Sequence, residues 1–522
     1  MCALCREHIE RCEGSAGKVP LTKTGYVRKK LRDRILYGTG DGTTKKDWYR
    51  AREYRKAMHG ATMCPEEYRI LSAISCGGLC EANRYKLGEI ILDPVYCDRK
   101  SAYPAHIVYD YVPAGRGTYT EAPSMEKVRA LPASVCFAGV FRFRNVKGRD
   151  LPFYYLREKY CYAICEPVNI KTVKKYLQSA DEITVALTEL DLQSFDESYT
   201  YDKETAECLG IVTYQRGQVP GLIKKYTLAR FRGKEAAKTK EERRVQKEQL
   251  NSIYGIMCMD PVRESYEYSV EGAEWDEPTA PDVEEALEKY NTSNSRWTCY
   301  PWGIWIAAHC RRMEWRAFME LSPWFVYGDT DSIYLTESGW TWARTYFEEE
   351  NAKMYERAKQ VSESLGVSIA FFKPFGELLG TWTFDTTISR LCIMGQKNYI
   401  TETRNGKLTV VIAGINPDLS SAYIQRRYGG AAVEAFRSIE YYPARWRDLQ
   451  TGRIMSATGR RICFHFDDEF EADVVDALGE LQHVKTLSGT VSLYVPVRRE
   501  EIEKYEEKKN DASVDVIPEI LP

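Results

Sequence analysis

Residues 324–335 read WFVYGDTDSIYL. Two apolar runs flank a tight turn, which is the pattern of a β-hairpin. In extended chain, residues i and i+2 project to one face, so Asp329 and Asp331 present two carboxylates together at the tip. Like charges this close repel, and each raises the pKa of the other unless something positive sits between them. A divalent metal answers that need, because Mg²⁺ takes carboxylate oxygen together with substrate phosphate. Taken alone, the segment fits an ordinary Asp-rich turn equally well.

Two further segments carry chemistry. Asp98 ends an apolar strand in CDRKSAYPAHI (97–107), a position where aspartate also serves as a turn or cap residue. On a long helical pattern over 222–256, Arg243, Lys247, Asn251 and Tyr254 share one face. Two cations, an amide and an aromatic ring in line suit a triphosphate with its base beyond it. A charged outer face would account for Lys and Arg, less naturally for Asn and Tyr.

The formal net charge of −2 over 522 residues hides a segregated distribution. Residues 18–56 hold 13 Lys/Arg against 4 Asp/Glu, 224–247 hold 10 against 3, and 264–289 hold 1 against 10. Phosphate binding needs a local basic surface, not a basic average, although any one run alone is most simply a solvated face. The 16 cysteines are scattered outside the first twelve residues, which fits a reducing compartment. No apolar run approaches the roughly 20 residues that span a bilayer, and the charged start MCALCREHIERC is no signal peptide. The expectation is a cytoplasmic protein with no membrane partner. The 36 Tyr and 11 Trp serve base stacking or a large aromatic core.

DRKSAYP (98–104), KEQLNSIYG (247–255) and YGDTDS (327–332) resemble, in order, motifs A, B and C of family B DNA polymerases. The nearest likeness is to the protein-primed group of bacteriophages and linear plasmids. PLTKTGYVR (20–28) is similar to a segment that follows the exonuclease domain in that group. SCGGLCEAN (75–83) resembles its Gly-Gly template loop, without the aromatic that often precedes the glycines. LTELDLQSFDESY (187–199) resembles part of its first terminal-protein-region insertion. Gly380–Trp382 and Gln396–Tyr399 resemble the LGxW and Lys-x-Tyr segments after motif C. The likeness covers roughly residues 18–415.

The resemblance implies an α+β, right-hand polymerase fold: a palm with an antiparallel sheet, helical fingers, a small thumb and insertions. Its divisions would be 1–60 as a remnant or linker, with a flexible connection at Gly38–Lys46, and 61–110 as the first palm part. Residues 111–212 would form the first insertion, a small α+β unit, 213–259 the fingers and 260–297 the second insertion. Residues 298–417 would complete the palm, leaving 418–522 as thumb and C-terminal region. The implied reaction is DNA-directed addition of dNTPs to a primer 3′ end with two Mg²⁺ ions, Mn²⁺ substituting. Asp98, Asp329, Asp331 and the Arg99 carbonyl would hold the metals. Arg243 and Lys247 would grip the triphosphate, Asn251 and Tyr254 would shape the base-pair pocket, and Tyr103 would lie under the sugar and exclude a 2′-hydroxyl. Gly77, Gly78, Thr330, Ser332, Lys397 and Tyr399 would contact primer and template.

The family's proofreading carboxylates have no counterpart before PLTKTGYVR, so a polymerase without its own 3′–5′ exonuclease is expected, one supplied separately being a natural partner. Asp196-Glu197 falls inside the insertion match and reads as structural. Protein priming and strand displacement belong to the same likeness, with a terminal protein as partner and a phage- or mobile-element-infected bacterium as the setting. Two other readings stay open: a catalytically silent polymerase-like module that binds DNA or a partner, and an RNA-directed polymerase. Cys2, Cys5, His8 and Cys12 have zinc-ligand chemistry, but a full site within eleven residues would be unusual, and a frayed chain end is the simpler reading.

Overall fold

The computed structural model describes residues 23–438, apart from 39–44, 75–76, 174, 265–267, 270–273, 276–280, 386 and 413–416, together with six short strands between 445 and 495. The Cys2–Cys12 cluster and most of the 418–522 division lie outside the described residues.

Two helices come first, α1 (Lys23–Tyr37) and α2 (Lys45–Gly60). Residues 1–60 were expected as a remnant or linker, yet Val27, Leu31, Ile35 and Met58 from these helices enter the main core. Their apolar residues do recur at helical spacing, but the dense Lys and Arg between them mask the pattern. Then follow α3 (Pro65–Ile74), β1 (Cys80–Ala82), β2 (Ile90–Leu92), β3 (Val95–Arg99) and α4 (Ala102–Tyr109). Residues 111–218 form β4 (Tyr111–Glu121), β5 (Val135–Gly148), β6 (Lys171–Val173), β7 (Tyr176–Thr188), α5 (Glu189–Ser198) and β8 (Glu207–Gln218). These strands make an antiparallel sheet in the order β4-β8-β5-β7-β6. The last strand runs past the boundary at 212 given by the sequence reading, and α5 starts with a reciprocal capping box between Thr188 and Asp191.

The helical pattern over 222–256 is two helices, α6 (Gly221–Ala236) and α7 (Lys240–Met257). Ala237 is extended, and the Thr239 hydroxyl accepts the Glu242 N–H at 3.1 Å, starting the second helix. Thr followed three residues later by Glu is an N-terminal helix signal inside an otherwise continuous pattern. Then come α8 (Val283–Thr292) and the largely buried α9 (Pro301–Glu320), followed by β9 (Phe325–Asp329), β10 (Ser332–Leu335) and α10 (Trp340–Leu365). After these lie β11 (Trp382–Asp385), β12 (Ile388–Gly395), β13 (Asn398–Thr403), β14 (Leu408–Ile412), α11 (Pro417–Tyr428) and α12 (Ala432–Ser438).

The five-stranded central sheet runs β1-β9-β10-β3-β11, and a second sheet runs β14-β13-β12-β2. Burial alternates along β3: Val95, Cys97 and Arg99 are buried, while Tyr96 and Asp98 sit on the more open face. The β9–β10 hairpin lies on α9, where the Phe318 ring packs over Gly328. A Cβ at Gly328 would collide with that ring. Gly328→Ala should therefore cost about 1–3 kcal/mol of stability, as overpacking does. Urea unfolding of the purified chain should show this as a lowered midpoint at unchanged m-value.

Candidate active site

Register brings the aspartates to one end of the central sheet. Ser332 pairs with Asp329 on one side and with Asp98 on the other. Asp98 and Asp329 thus flank Ser332 in a single row, two strand spacings or roughly 10 Å apart at Cα. Asp331 precedes Ser332 in the turn. The turn is tight: the Asp331 N–H donates to the Asp329 carbonyl at 2.6 Å, and Thr330 sits at φ 59°. The Thr330 and Ser332 hydroxyls donate to the Asp329 carboxylate and carbonyl at 3.0 and 3.2 Å. The Arg99 N–H donates to the Asp331 carbonyl at 2.7 Å, tying β3 to the hairpin.

These carboxylates feel one another. Burial, then the charges of Asp98 and Asp329, push the Asp331 carboxyl up to about 7. Burial also raises Asp98, against the Tyr96 hydroxyl, which donates to it at 3.3 Å, and the nearby Lys100, Lys234 and Lys247. Among the described residues, no three His, Cys, Asp or Glu side chains close into a metal cage. The donor set nonetheless suits Mg²⁺, which keeps several waters and binds through one or two carboxylates plus substrate phosphates. The mutual repulsion is what a divalent cation would relieve. The Arg99 side chain turns away into the interior, donating to the Gly380 carbonyl at 2.9 Å and contacting His106 Nε2 at 2.6 Å.

The opposite wall comes from α4, α6 and α7. Tyr103 and Tyr254 stack at 4.0 Å with planes 6° apart, so the predicted sugar and base contacts form one platform. Lys247 and Asn251 are exposed on the same face of α7. Arg243 is committed to the end of α6, donating to the Lys234 carbonyl at 3.2 Å and pairing with Glu235 at 3.3 Å. Lys234 was not singled out from the sequence. Its ammonium is mostly buried, donates to the Ser101 hydroxyl at 3.0 Å and pairs with Glu235 at 2.9 Å. Its charge acts on Asp98 from the last turn of α6.

The glycine loop seats on the hairpin. Thr330 N–H donates to the Leu79 carbonyl at 2.8 Å, and a Cβ at Gly78 would lie 3.0 Å from the Thr330 methyl. Gly78 N–H donates to the Tyr103 hydroxyl at 2.8 Å. Two buried α9 residues hold this loop from below. Glu314 accepts the Leu79 N–H at 2.8 Å, and Arg311 donates to the Gly77 carbonyl at 3.2 Å while pairing with Asp191 of α5 at 2.9 Å. Lys397 pairs with Asp329 at 3.2 Å, and its N–H donates to the Tyr327 hydroxyl at 3.0 Å. The Tyr399 ring packs against Tyr327 and Tyr334 at 5.2 and 5.8 Å. Of the residues expected at the polymerase site, Gly77, Gly78, Tyr103, Asp329, Thr330 and Lys397 line one pocket, and Asp98, Asp331 and Ser332 adjoin it at the end of the sheet. Asp196 and Glu197 are engaged elsewhere, by Arg129 and Tyr201 and by Arg312 and Trp315, as a structural pair.

No protein-family model matches the sequence, and no curated protein matches it. Solved structures do match in fold. Phi29 DNA polymerase complexed with primer-template DNA and incoming nucleotide substrates is 15% identical over 94% of this chain and 69% of that chain, with a TM-score of 0.56. Its binary complex with primer-template DNA gives 14%, 94%, 70% and 0.55. Its complex with single-stranded DNA gives 17%, 80%, 64% and 0.52. The chain therefore has the fold of a DNA polymerase and spans about two thirds of that polymerase's length.

Removing Arg311 alone would strand the Asp191 carboxylate in the interior. Arg311→Ala should cost about 3–5 kcal/mol. Chemical denaturation of this variant beside the wild type checks this.

Proposed function

We propose that this chain is a DNA-directed DNA polymerase of the family B, protein-primed type. The observation that carries the reading is the convergence of Asp98, Asp329 and Asp331 opposite Lys247, Lys234 and the Tyr103–Tyr254 platform, in a chain with a DNA polymerase fold. The central sheet would be the palm, α6 and α7 the fingers, and residues 111–212 and 260–297 the two insertions.

In this reading a primer 3′-oxygen attacks the α-phosphate of a dNTP and pyrophosphate leaves. Two Mg²⁺ ions, or Mn²⁺ in their place, would supply charge neutralisation for the attacking and leaving oxygens. Asp98 and Asp331 would hold both ions, with Asp329 and the Arg99 carbonyl as further ligands. The chain's own cations do the rest. Lys247 and Lys234 stand where negative charge grows on the departing phosphates. Arg243 stiffens the α6–α7 junction, and gripping the triphosphate would require it to leave Glu235. Tyr103, fixed by Gly78 N–H and by stacking on Tyr254, walls the sugar side of the pocket against a 2′-hydroxyl. Asn251 faces the nascent base pair. Lys397 and Tyr399 hold the primer end beside Asp329. A terminal protein as primer, a separate chain for proofreading, and a bacterial cytoplasm hosting a phage or mobile element complete the proposal.

Asp331→Asn should abolish nucleotide addition while leaving primer–template affinity within a few fold of wild type. Gel-based extension beside an anisotropy titration reads both, and near-normal extension would remove the metal assignment. Lys247→Ala should raise the apparent KM for dNTP and lower kcat together, because the lysine's charge matters most as pyrophosphate departs. Steady-state kinetics with one templated dNTP would refute the helix-face argument if neither constant moved.

A further inference from the structure

Helix α2 has a face that the polymerase chemistry does not use. Lys45, Trp48, Tyr49, Arg52, Lys56 and His59 are all exposed. At 100° per residue they fall within one stripe, and a rise of about 1.5 Å per residue makes it roughly 21 Å long. Trp48 and Tyr49, 46% and 50% exposed, stand edge to face at 5.2 Å. Acidic charge reaches the stripe from its edge, where Glu53 pairs with Lys56 at 3.2 Å.

The opposite side of α2 is anchored. Ala51 and Met58 are buried, the Tyr54 hydroxyl donates to the Trp297 carbonyl at 2.7 Å, and Arg296 donates to the Met58 and Ala61 carbonyls. The stripe is therefore held in a fixed orientation. The Trp48 and Tyr49 rings stand half exposed among Lys45, Arg52 and Lys56. Indole and phenol faces interleaved with Lys and Arg fit one chemistry above others: unpaired bases to stack and phosphates to neutralise. A duplex hides its base faces and would leave the rings idle.

Position supplies the second observation. Helix α1 lies against α7, with Thr24 and Ser252 hydroxyls 3.3 Å apart, and Ser252 is the residue after Asn251. Arg55 of α2 in turn covers the Tyr37 ring at the end of α1, 5.7 Å from its centre. The stripe is thus joined through α1 to the helix that faces the nascent base pair.

We infer that the exposed stripe of α2 binds single-stranded nucleic acid, namely the unpaired template strand beyond the nascent base pair. The inference rests on the polymerase reading for which strand is bound, and the test separates the two. Primer–templates with template 5′ overhangs of two and of twelve nucleotides are compared by anisotropy and by single-nucleotide extension. Wild-type extension of the short-overhang substrate reports on the polymerase reading alone. Trp48→Ala with Tyr49→Ala should weaken binding of the long overhang about tenfold or more, as loss of base stacking does. Binding and extension of the short-overhang substrate should be unchanged, and Trp48→Phe with Tyr49→Phe should restore affinity. Arg52→Gln with Lys56→Gln should lower the salt dependence of long-overhang binding by about 0.7 in log–log slope for each phosphate no longer neutralised. Equal effects on both overhangs, or none on the long one, would overturn the inference. So would polyglutamate displacing the long overhang as effectively as oligo-dT of equal charge, since the stripe would then be a general acceptor of acidic partners.

Discussion

Three carboxylates drawn to one end of a five-stranded sheet repel one another, and much of the surrounding structure answers that repulsion. Burial, then the charges of Asp98 and Asp329, drive the Asp331 carboxyl up to about 7. On one side Lys397 pairs with Asp329; on the other Lys247, Lys234 and Lys100 act on Asp98. The cations come from four separate places in the chain, so the cleft exists only when all the elements carrying them have docked. A folded arrangement of this kind stores a demand for positive charge at the sheet end, which magnesium and a substrate's counter-ions would meet.

The supports of the cleft are also electrostatic, but sealed from water. Arg311 and Asp191 form a buried pair linking α9 to α5, and the same guanidinium holds the Gly77 carbonyl. Glu314, one turn along α9, holds the next part of that loop. Asp191 also closes the capping box that starts α5. The sheet unit of residues 111–218 is thereby coupled to the loop lying on the Asp329–Asp331 hairpin. A change in the first can move the second without touching the carboxylates.

The hairpin and its two aspartates were legible in the sequence because two short continuous apolar runs, WFVY and IYL, flank a Gly-Asp turn. The α7 face was legible because Lys247, Asn251 and Tyr254 sit at helical spacing. Lys234, Arg311 and Glu314 were not. Lys234 was one lysine in a basic run, and its burial against Ser101, 133 residues away in the chain, follows from no local pattern. Arg311 meets Asp191 across 120 residues, a separation that no local pattern announces. Residues 23–60 looked like a linker because their charge hid apolar positions that turn out to enter the core.

Templated nucleotide addition on DNA is the activity proposed for this cleft. Rapid-quench measurement of single dNTP incorporation by the wild-type chain, on matched DNA and RNA templates with and without Mg²⁺, tests it most directly. The expected result is incorporation of the complementary dNTP on the DNA template, dependent on the metal and strongly disfavoured on RNA. Bound DNA with no incorporation at any Mg²⁺ or Mn²⁺ concentration, or equal incorporation on RNA, would contradict it.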